Sequence, residues 1–342
     1  MRIAFLVNAL ADERPVYTTP RLARAAALRG HEVSYLDLTD LGLETDGSVS
    51  ALARRPPGPG ADPEEFLAGL NRAPLEPLAV GDLDVLMLRS EPSFELTTRP
   101  WAQPVGWLFG ELARQRGVLV LSDPRGLALA GPDKYYSLRF PARHRPATIL
   151  TRSLAAVRAF AAGRPEGIVL KPLHGGAGDH VFWVRPGDPN LAQIVAAVAE
   201  RGYLLAQEYL PAIAEGCVRL FLLDGRPLTV DGQVAALRLT PAGQDIRTNY
   251  AVTGTVAPAD LDHRHLAAAA AAGPRLAADG LFLVGLDLVG EAILEANLHS
   301  PGGLRGAELL TGADFSAAVV AAMERKRLAS ATRVSSRLAA EG

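Results

Sequence analysis

The sequence predicts two architectures in one chain: a parallel α/β lobe at the N-terminus, then α+β layers built on antiparallel sheets. Residues 2–38 read as strand, amphipathic helix, strand, the order that a parallel layer needs. After about Ser122 the pattern changes, and short strands come in pairs with helices between them. The chain has 342 residues, and at roughly 100–200 per domain that is room for two or three lobes with ample core.

Taken in order, Arg2–Asn8 is a strand of the buried type, Thr18–Arg29 an amphipathic helix stopped at Gly30, and Glu32–Leu38 the second strand. The run RRPPGPGADP at 54–63 is expected as a mobile loop or a surface excursion. Asp84–Arg89 and Val118–Ser122 are further strands, with a helix over Trp101–Arg116 between them. In the second half Gly167–Leu173 pairs with His180–Arg185, and Leu281–Leu288 with Ala292–Leu298. Helices are expected over Ser153–Ala162, over Asn190–Arg201 and around the alanine run Ala267–Ala272. The tail after about Lys326 is polar and expected to fray.

Composition excludes several classes. With 49% hydrophobic and 21% charged residues the chain is neither disordered nor fibrous. A formal net charge of -2 argues against bulk binding of nucleic acid or anionic membrane. The single cysteine, Cys217, cannot form an internal disulfide; a buried apolar role and a reduced, cytoplasmic setting are expected. No apolar run approaches the ~18 residues of a membrane span. The opening MRIAFLVNALADERP only loosely imitates a signal peptide and reads better as a first strand. One bias stands out: of 35 basic residues only Lys134, Lys171 and Lys326 are lysine. Either they sit where arginine's planar fork cannot replace a compact ammonium, or they survive by chance.

Three segments carry candidate chemistry. In IVLKPLHGGAGDHVFWV, Lys171 lies on a strand, followed by a loop with Gly175, Gly176 and Gly178 that lets backbone N–H groups approach an anion. The loop has neither the Walker nor the G-x-G-x-x-G pattern, and a plain hairpin turn remains an equal alternative until the neighbouring lysine is counted. In VGLDLVGEAILEANLHSPGG, a turn over Gly290–Ala292 sets Asp287 opposite Glu295, with Asn297 on the same face, a hard-oxygen set suited to Mg²⁺. A slip of one residue turns Asp287 away, and a solvated acidic edge is the alternative. In YLLAQEYLPAIAEGCVRLFLLDG, the strand end Gln207-Glu208-Tyr209-Leu210 offers a donor and an acceptor to an adenine edge, and Glu215 an acceptor to ribose hydroxyls. Alone, that segment reads as an ordinary strand-to-loop transition.

Elsewhere, Arg89 follows a strand whose C-terminus faces a ligand crevice, from which it reaches a second substrate. His174 and His180 read as exposed loop residues, and His263 and His265 as helix residues without a third ligand. Trp101 and Trp107 read as core or subunit contact.

The order of these segments resembles the ATP-grasp superfamily and, within it, the bacterial glutathione synthetases. The match runs over nearly the whole chain: DVLMLRSEPSFE and GVLVLSDPRGLALAGPDKYYSLRF in the first lobe, then IVLKPLHGGAG, AQEYLPAIAEGCVRL, IRTNYAVTG, LVGLDLVG and LEANLHSPGGLR. The resemblance implies an ATP-grasp fold: a substrate lobe at 1–123, ATP-clamping subdomains at 124–206 and 207–325, and a tail at 326–342. It implies an ATP-dependent carboxylate–amine ligase acting through an acyl phosphate on small-molecule substrates. ATP with Mg²⁺ is expected, two ions with Mn²⁺ as a substitute, in a homodimer or homotetramer.

By matching positions, Lys134 and Lys171 would hold the phosphates under Gly175–Gly178, and Glu208 to Leu210 would be the adenine hinge, with Gln207 beside it at the ATP and Glu215 on the ribose. Asp287, Glu295 and Asn297 would ligate the metal. Arg219, Arg238 and Arg247 would face acyl phosphate and substrate carboxylates, with Arg219, Arg247 and Lys171 the catalytic cations. Asn249, Ser300 and Gly302 would line the substrate pocket. The glycine loop and Leu239–Thr255 are expected lids.

The chain departs from the family where substrates bind. The usual T-S-P-T is His299-Ser300-Pro301-Gly302, an expected arginine is Thr255, and an acidic residue is displaced to Glu308. A ligase for a different amino-acid or peptide pair therefore stands beside the glutathione-synthetase reading, as does an ATP-binding regulator. A nicotinamide dehydrogenase does not fit, because NALADERP lacks the needed glycines.

Overall fold

A computed structural model describes residues 1–131, 133–176, 178–241, 245–247 and 255–341. The first lobe holds β1 (Arg2–Val7), β2 (Glu32–Leu43), β3 (Val49–Arg54), β4 (Leu75–Ala79), β5 (Val85–Leu88) and β6 (Leu119–Leu121), in sheet order β4-β3-β2-β1-β5-β6. The four strands from β2 to β6 in that order pair in parallel, as expected. Along β1, Ile3, Phe5 and Val7 enter one core and Ala4 and Leu6 the other. Burial on both faces is why the run is apolar throughout rather than alternating.

The β3–β4 extension corrects the expectation of a purely parallel layer, since β3 runs antiparallel to β2 and to β4. Its signal is the Asp46-Gly47 turn, where Gly47 takes φ +76° and the Asp46 carboxylate accepts from the Ser48 backbone N–H at 2.8 Å. The Pro/Gly run after β3 is a surface loop held by Arg24, whose guanidinium donates to the carbonyls of Pro59, Gly60 and Ala61.

The second sheet, ordered β7-β10-β8-β9, comprises β7 (Thr148–Thr151), β8 (Ile168–Pro172), β9 (Phe182–Val184) and β10 (Leu204–Glu208). Every pairing in it is antiparallel. Helices Leu154–Ala162 and Leu191–Ala199 cover its apolar face, packing Val157, Val195 and Val198 on Ile168, Leu170 and Ala206.

The third unit holds β11 (Cys217–Leu223), β12 (Arg226–Pro227), the small hairpin β13 (Thr229–Val230) and β14 (Gln233–Val234), β15 (Ala236–Thr240), β16 (Thr255–Ala257), β17 (Leu283–Val289) and β18 (Ala292–Asn297). Its main sheet runs β16-β15-β11-β17-β18, again antiparallel. The alanine run sits on helix His263–Ala278, whose small buried residues Ala268, Ala269 and Ala272 let it lie close. Gly273 in that helix meets Gly225 in the β11–β12 turn so closely that a Cβ at either position would overlap the other's backbone.

The tail departs from expectation. Helix Phe315–Glu341 continues through 27 residues instead of fraying after Lys326. Lys326 is anchored by Asp224 at 2.7 Å and lies 5.7 Å over the Phe282 ring. No single helix among the described residues is long and apolar enough to cross a membrane.

Candidate active site between the lobes

The period of two along β8 and β10 builds the first wall of the site. Lys171 pairs with Leu205, and Gln207 with Val169, so these four share one face while Ile168, Leu170 and Ala206 go into the core. Val169, Lys171 and Gln207 line a cleft. Lys171 is 8% exposed, and its ammonium donates to Gln207 Oε1 at 3.1 Å. Burial pushes its pKa down, against the pull of the Glu295 carboxylate; Lys134 adds to the fall and Asp287 opposes it.

Lys134, 4% exposed on the short helix Asp133–Tyr136, donates to the Gly175 carbonyl at 2.8 Å, which ties it to the glycine loop. Both lysines are therefore buried at the loop, Lys134 tied to it and Lys171 on the strand that leads into it. Gly178 has φ +74°, and a Cβ there would come within 2.8 Å of the Arg247 side chain, which lies over the loop and pairs with Asp245. A Cβ on Gly176 would approach Ser93 Oγ at 2.8 Å, so the first lobe also reaches the loop. Ser93 and Phe94 in this role were legible only as part of the SEPSFE stretch.

At the hinge, the Glu208 carboxylate accepts from the Ala147 N–H at 2.7 Å and braces the strand end. Tyr209 and Leu210 line the cleft with Ile213 and Leu294, an apolar slot that suits a flat base. Tyr209 also stacks on Trp183, with centroids 4.2 Å apart. Glu215 is exposed beyond the hinge and is not brought to the cleft wall.

The acidic wall comes from β11, β17 and β18. Arg219 pairs with Asp287, which in turn pairs with Glu295. The turn is the two residues Gly290-Glu291, one shorter than expected, and Val289 pairs with Ala292. A bulge between Asp287 and Leu288 then restores the Asp287–Glu295 register. The expected face is right, but two compensating irregularities produce it.

Arg219 grips Asp287 with two parallel bonds of 2.7 Å, both side chains buried, and donates to the Gly302 carbonyl at 3.1 Å. Burial works against its charge, but Asp287 outweighs that and raises the guanidinium pKa. Asn297 donates to Asp287 Oδ2 at 3.3 Å. Glu295 and the Asn297 carbonyl oxygen add hard donors on the same face, and Asp287 keeps further lone pairs beyond those Arg219 engages. The set fits a small divalent cation that also binds a polyphosphate, since such ions take few protein ligands.

Arg238 is not brought to this face. It pairs with Val218, one residue out of step with Arg219, and strand alternation sends it to the other side. Asn249 lies outside the described residues, as does most of the expected Leu239–Thr255 lid.

A second cavity of ≈ 680 Å³ opens toward the first lobe. Arg89, at the C-terminal end of β5, enters it 3% exposed, and Ser300, Gly302 and His299 line its far side. His299 is buried near Trp107, with ring centroids 5.8 Å apart. The displaced acid Glu308 is not in the site: it is buried, paired with Arg21, and accepts from Ser316 N and Oγ. The cleft and the cavity meet at Gly176, Arg219, Glu295 and Asn297. A junction with one cation, Arg219, and one carboxylate, Glu295, between a base-sized slot and a larger polar cavity suits a nucleotide's phosphate end set against a second molecule.

The fold and this site define an ATP-grasp carbon–nitrogen ligase. The family model described as prokaryotic glutathione synthetase, ATP-grasp domain, matches residues 133–312, and that of the N-terminal domain matches residues 1–128. Glutathione synthetase of Synechococcus elongatus is 31% identical over 335 residues, 95% of this chain and 98% of that one. Glutathione synthetase of Escherichia coli strain K12 is 34% identical over 285 residues, 83% and 84% of the two chains. The chain belongs to the prokaryotic glutathione synthetase family. Among solved structures, D-cycloserine synthetase DcsG shares the fold with a TM-score of 0.61 at 20% identity, covering 94% of this chain and 99% of that one. VanG D-Ala:D-Ser ligase from Enterococcus faecalis does so with a TM-score of 0.59 at 14% identity, covering 93% and 97%.

Proposed function

We propose that the protein joins γ-glutamylcysteine to glycine at the expense of ATP, releasing ADP and phosphate. The observation that carries this is the junction of the two cavities at Arg219, Glu295 and Asn297, in a chain that aligns along most of its length with glutathione synthetases. A carboxylate is a poor electrophile. In the proposed sequence one of its oxygens attacks the γ-phosphorus, ADP leaves, and an acyl phosphate remains. The amine nitrogen then attacks the acyl carbon, phosphate departs with that oxygen, and the nitrogen gives up its extra proton.

In this scheme Lys134 and Lys171 hold the phosphates beneath the glycine loop as point charges, and Arg247 lies across it. Arg219 stabilises the negative charge that gathers on the acyl oxygen. Asp287, Glu295 and Asn297 would hold Mg²⁺, one ion or two, with Mn²⁺ as a substitute; when bound it supplies charge neutralisation at the transferring phosphoryl group. A cytoplasmic setting and a homodimer or homotetramer belong to the same proposal.

A different amine acceptor is the second reading, because His299 and Gly302 stand in the cavity wall where the family's T-S-P-T would present two threonines. The test is ADP release with γ-glutamylcysteine paired with glycine, alanine, serine and larger amines. Turnover confined to glycine supports the first reading; turnover confined to another amine replaces it with the second.

A further inference from the structure

The first-lobe end of the large cavity holds polar groups that the phosphate chemistry does not use. Arg89 is 3% exposed, yet among the described residues no carboxylate lies within ion-pair distance of it. Its guanidinium donates to Thr19 Oγ1 at 3.1 Å and only at 3.4 Å to the Pro301 carbonyl. A buried arginine without an anion is costly unless a ligand brings one. Thr18 and Thr19, at the N-terminus of helix Thr18–Leu28, are 2% exposed, and Thr18 Oγ1 has no hydrogen-bond partner. Both line the cavity with Arg89.

Opposite in charge, Glu13 lines the same cavity, and its Oε2 is closed off without a partner, as is the hydroxyl of the buried Tyr35. Glu13 and Arg89 feel each other electrostatically without forming an ion pair, so space separates them.

We infer that Glu13 and Arg89 together hold the zwitterionic head of the carboxylate-donating substrate, its free α-ammonium at Glu13 and its free α-carboxylate at Arg89 and the Thr18–Thr19 helix end. A γ-linked glutamyl group is the substrate class that presents such a head while its far end reaches the phosphate junction. The inference rests on the proposed function for the donor's identity, and extends it to Glu13 as a specificity-determining residue. Burial pushes the Glu13 carboxyl up to about 7, against the pull of Arg89, and a bound ammonium would pull it back down.

The test is calorimetric binding of γ-glutamylcysteine and of its desamino analogue, glutaryl-cysteine, to the full chain with a non-hydrolysable ATP analogue, for wild type and Glu13→Gln. ADP release is measured separately. Wild type is expected to prefer the amino-bearing ligand by about tenfold or more, the scale of one charged hydrogen bond. Glu13→Gln should erase that preference while nucleotide affinity, which reports an intact fold, stays unchanged. If wild type shows no preference or binds neither ligand, or if Glu13→Gln keeps the preference, the inference is overturned. Preference without ADP release would retain it and reject the proposed reaction instead.

Discussion

Under the proposed function Lys134 and Lys171 serve as point charges beside the nucleotide's phosphates. Lys134 and Lys171 are both buried beside the glycine loop, where Lys134 donates to the Gly175 carbonyl and Lys171 to Gln207 Oε1. An arginine fork at either place would need a wider, planar set of acceptors. Lys171→Arg and Lys134→Arg should therefore each lower kcat/KM by at least about 100-fold with the melting temperature nearly held, a loss of about 3 kcal/mol in transition-state binding. Undiminished turnover in either would remove that lysine from phosphate binding. Lys326 shows that the bias alone was not diagnostic, because it is a structural anchor on Asp224.

Glu13 gives a second prediction at the same scale. Its carboxyl sits near 7 in the native protein against 4.5 as an ordinary glutamate. Between those values the native state holds more proton than the unfolded chain, so stability conferred below pH 4.5 is lost as pH rises through 7. Glu13→Gln should thus gain about 3 kcal/mol over wild type between pH 4.5 and 7.5, read by urea unfolding. A constant difference across that range would contradict the burial argument.

At the scale of elements, the metal wall depends on a hairpin whose register sequence reasoning reached by a wrong route. The alternation in LVGLDLVGEAILEAN made both strands legible, but neither the two-residue turn nor the compensating bulge leaves a composition signal. Arg238 failed for the related reason that one residue of register decides which face a side chain takes. The β2–β3 hairpin was missed although Asp46-Gly47 is a recognisable turn, because the end of β2 and β3 mix apolar and polar residues without a long run. Helix Leu304–Thr311 follows the substrate wall directly, and Glu308 fastens it to Arg21 of the first lobe and to Ser316. Glu308→Ala should cost about 3 kcal/mol by leaving Arg21 without its partner, measured by chemical denaturation. A loss below 1 kcal/mol would show that the helix is held by its apolar face alone.

Across the whole molecule, the last helix closes the chain back onto the first lobe. Glu324 meets Arg29 and His31, and Arg327 meets Asp84, so charged residues around the start of the tail are contacts to the first lobe. Periodicity exposed the lobes, but a charged helix face cannot announce its partner in a single sequence. In the proposed reaction nucleotide and donor meet in the cleft between the lobes, so ATP with Mg²⁺ should raise the melting temperature, with about 2.7 kcal/mol expected at 100 times the dissociation constant. EDTA should abolish turnover.

In the proposed reaction the donor's own carboxylate oxygen is phosphorylated at the junction of Arg219, Glu295 and Asn297. Donor labelled with ¹⁸O in its reacting carboxylate, incubated with ATP and the amine, should deliver one labelled oxygen to inorganic phosphate for each peptide bond formed, followed by mass spectrometry. Label retained entirely in the peptide, or appearing in AMP, would contradict it.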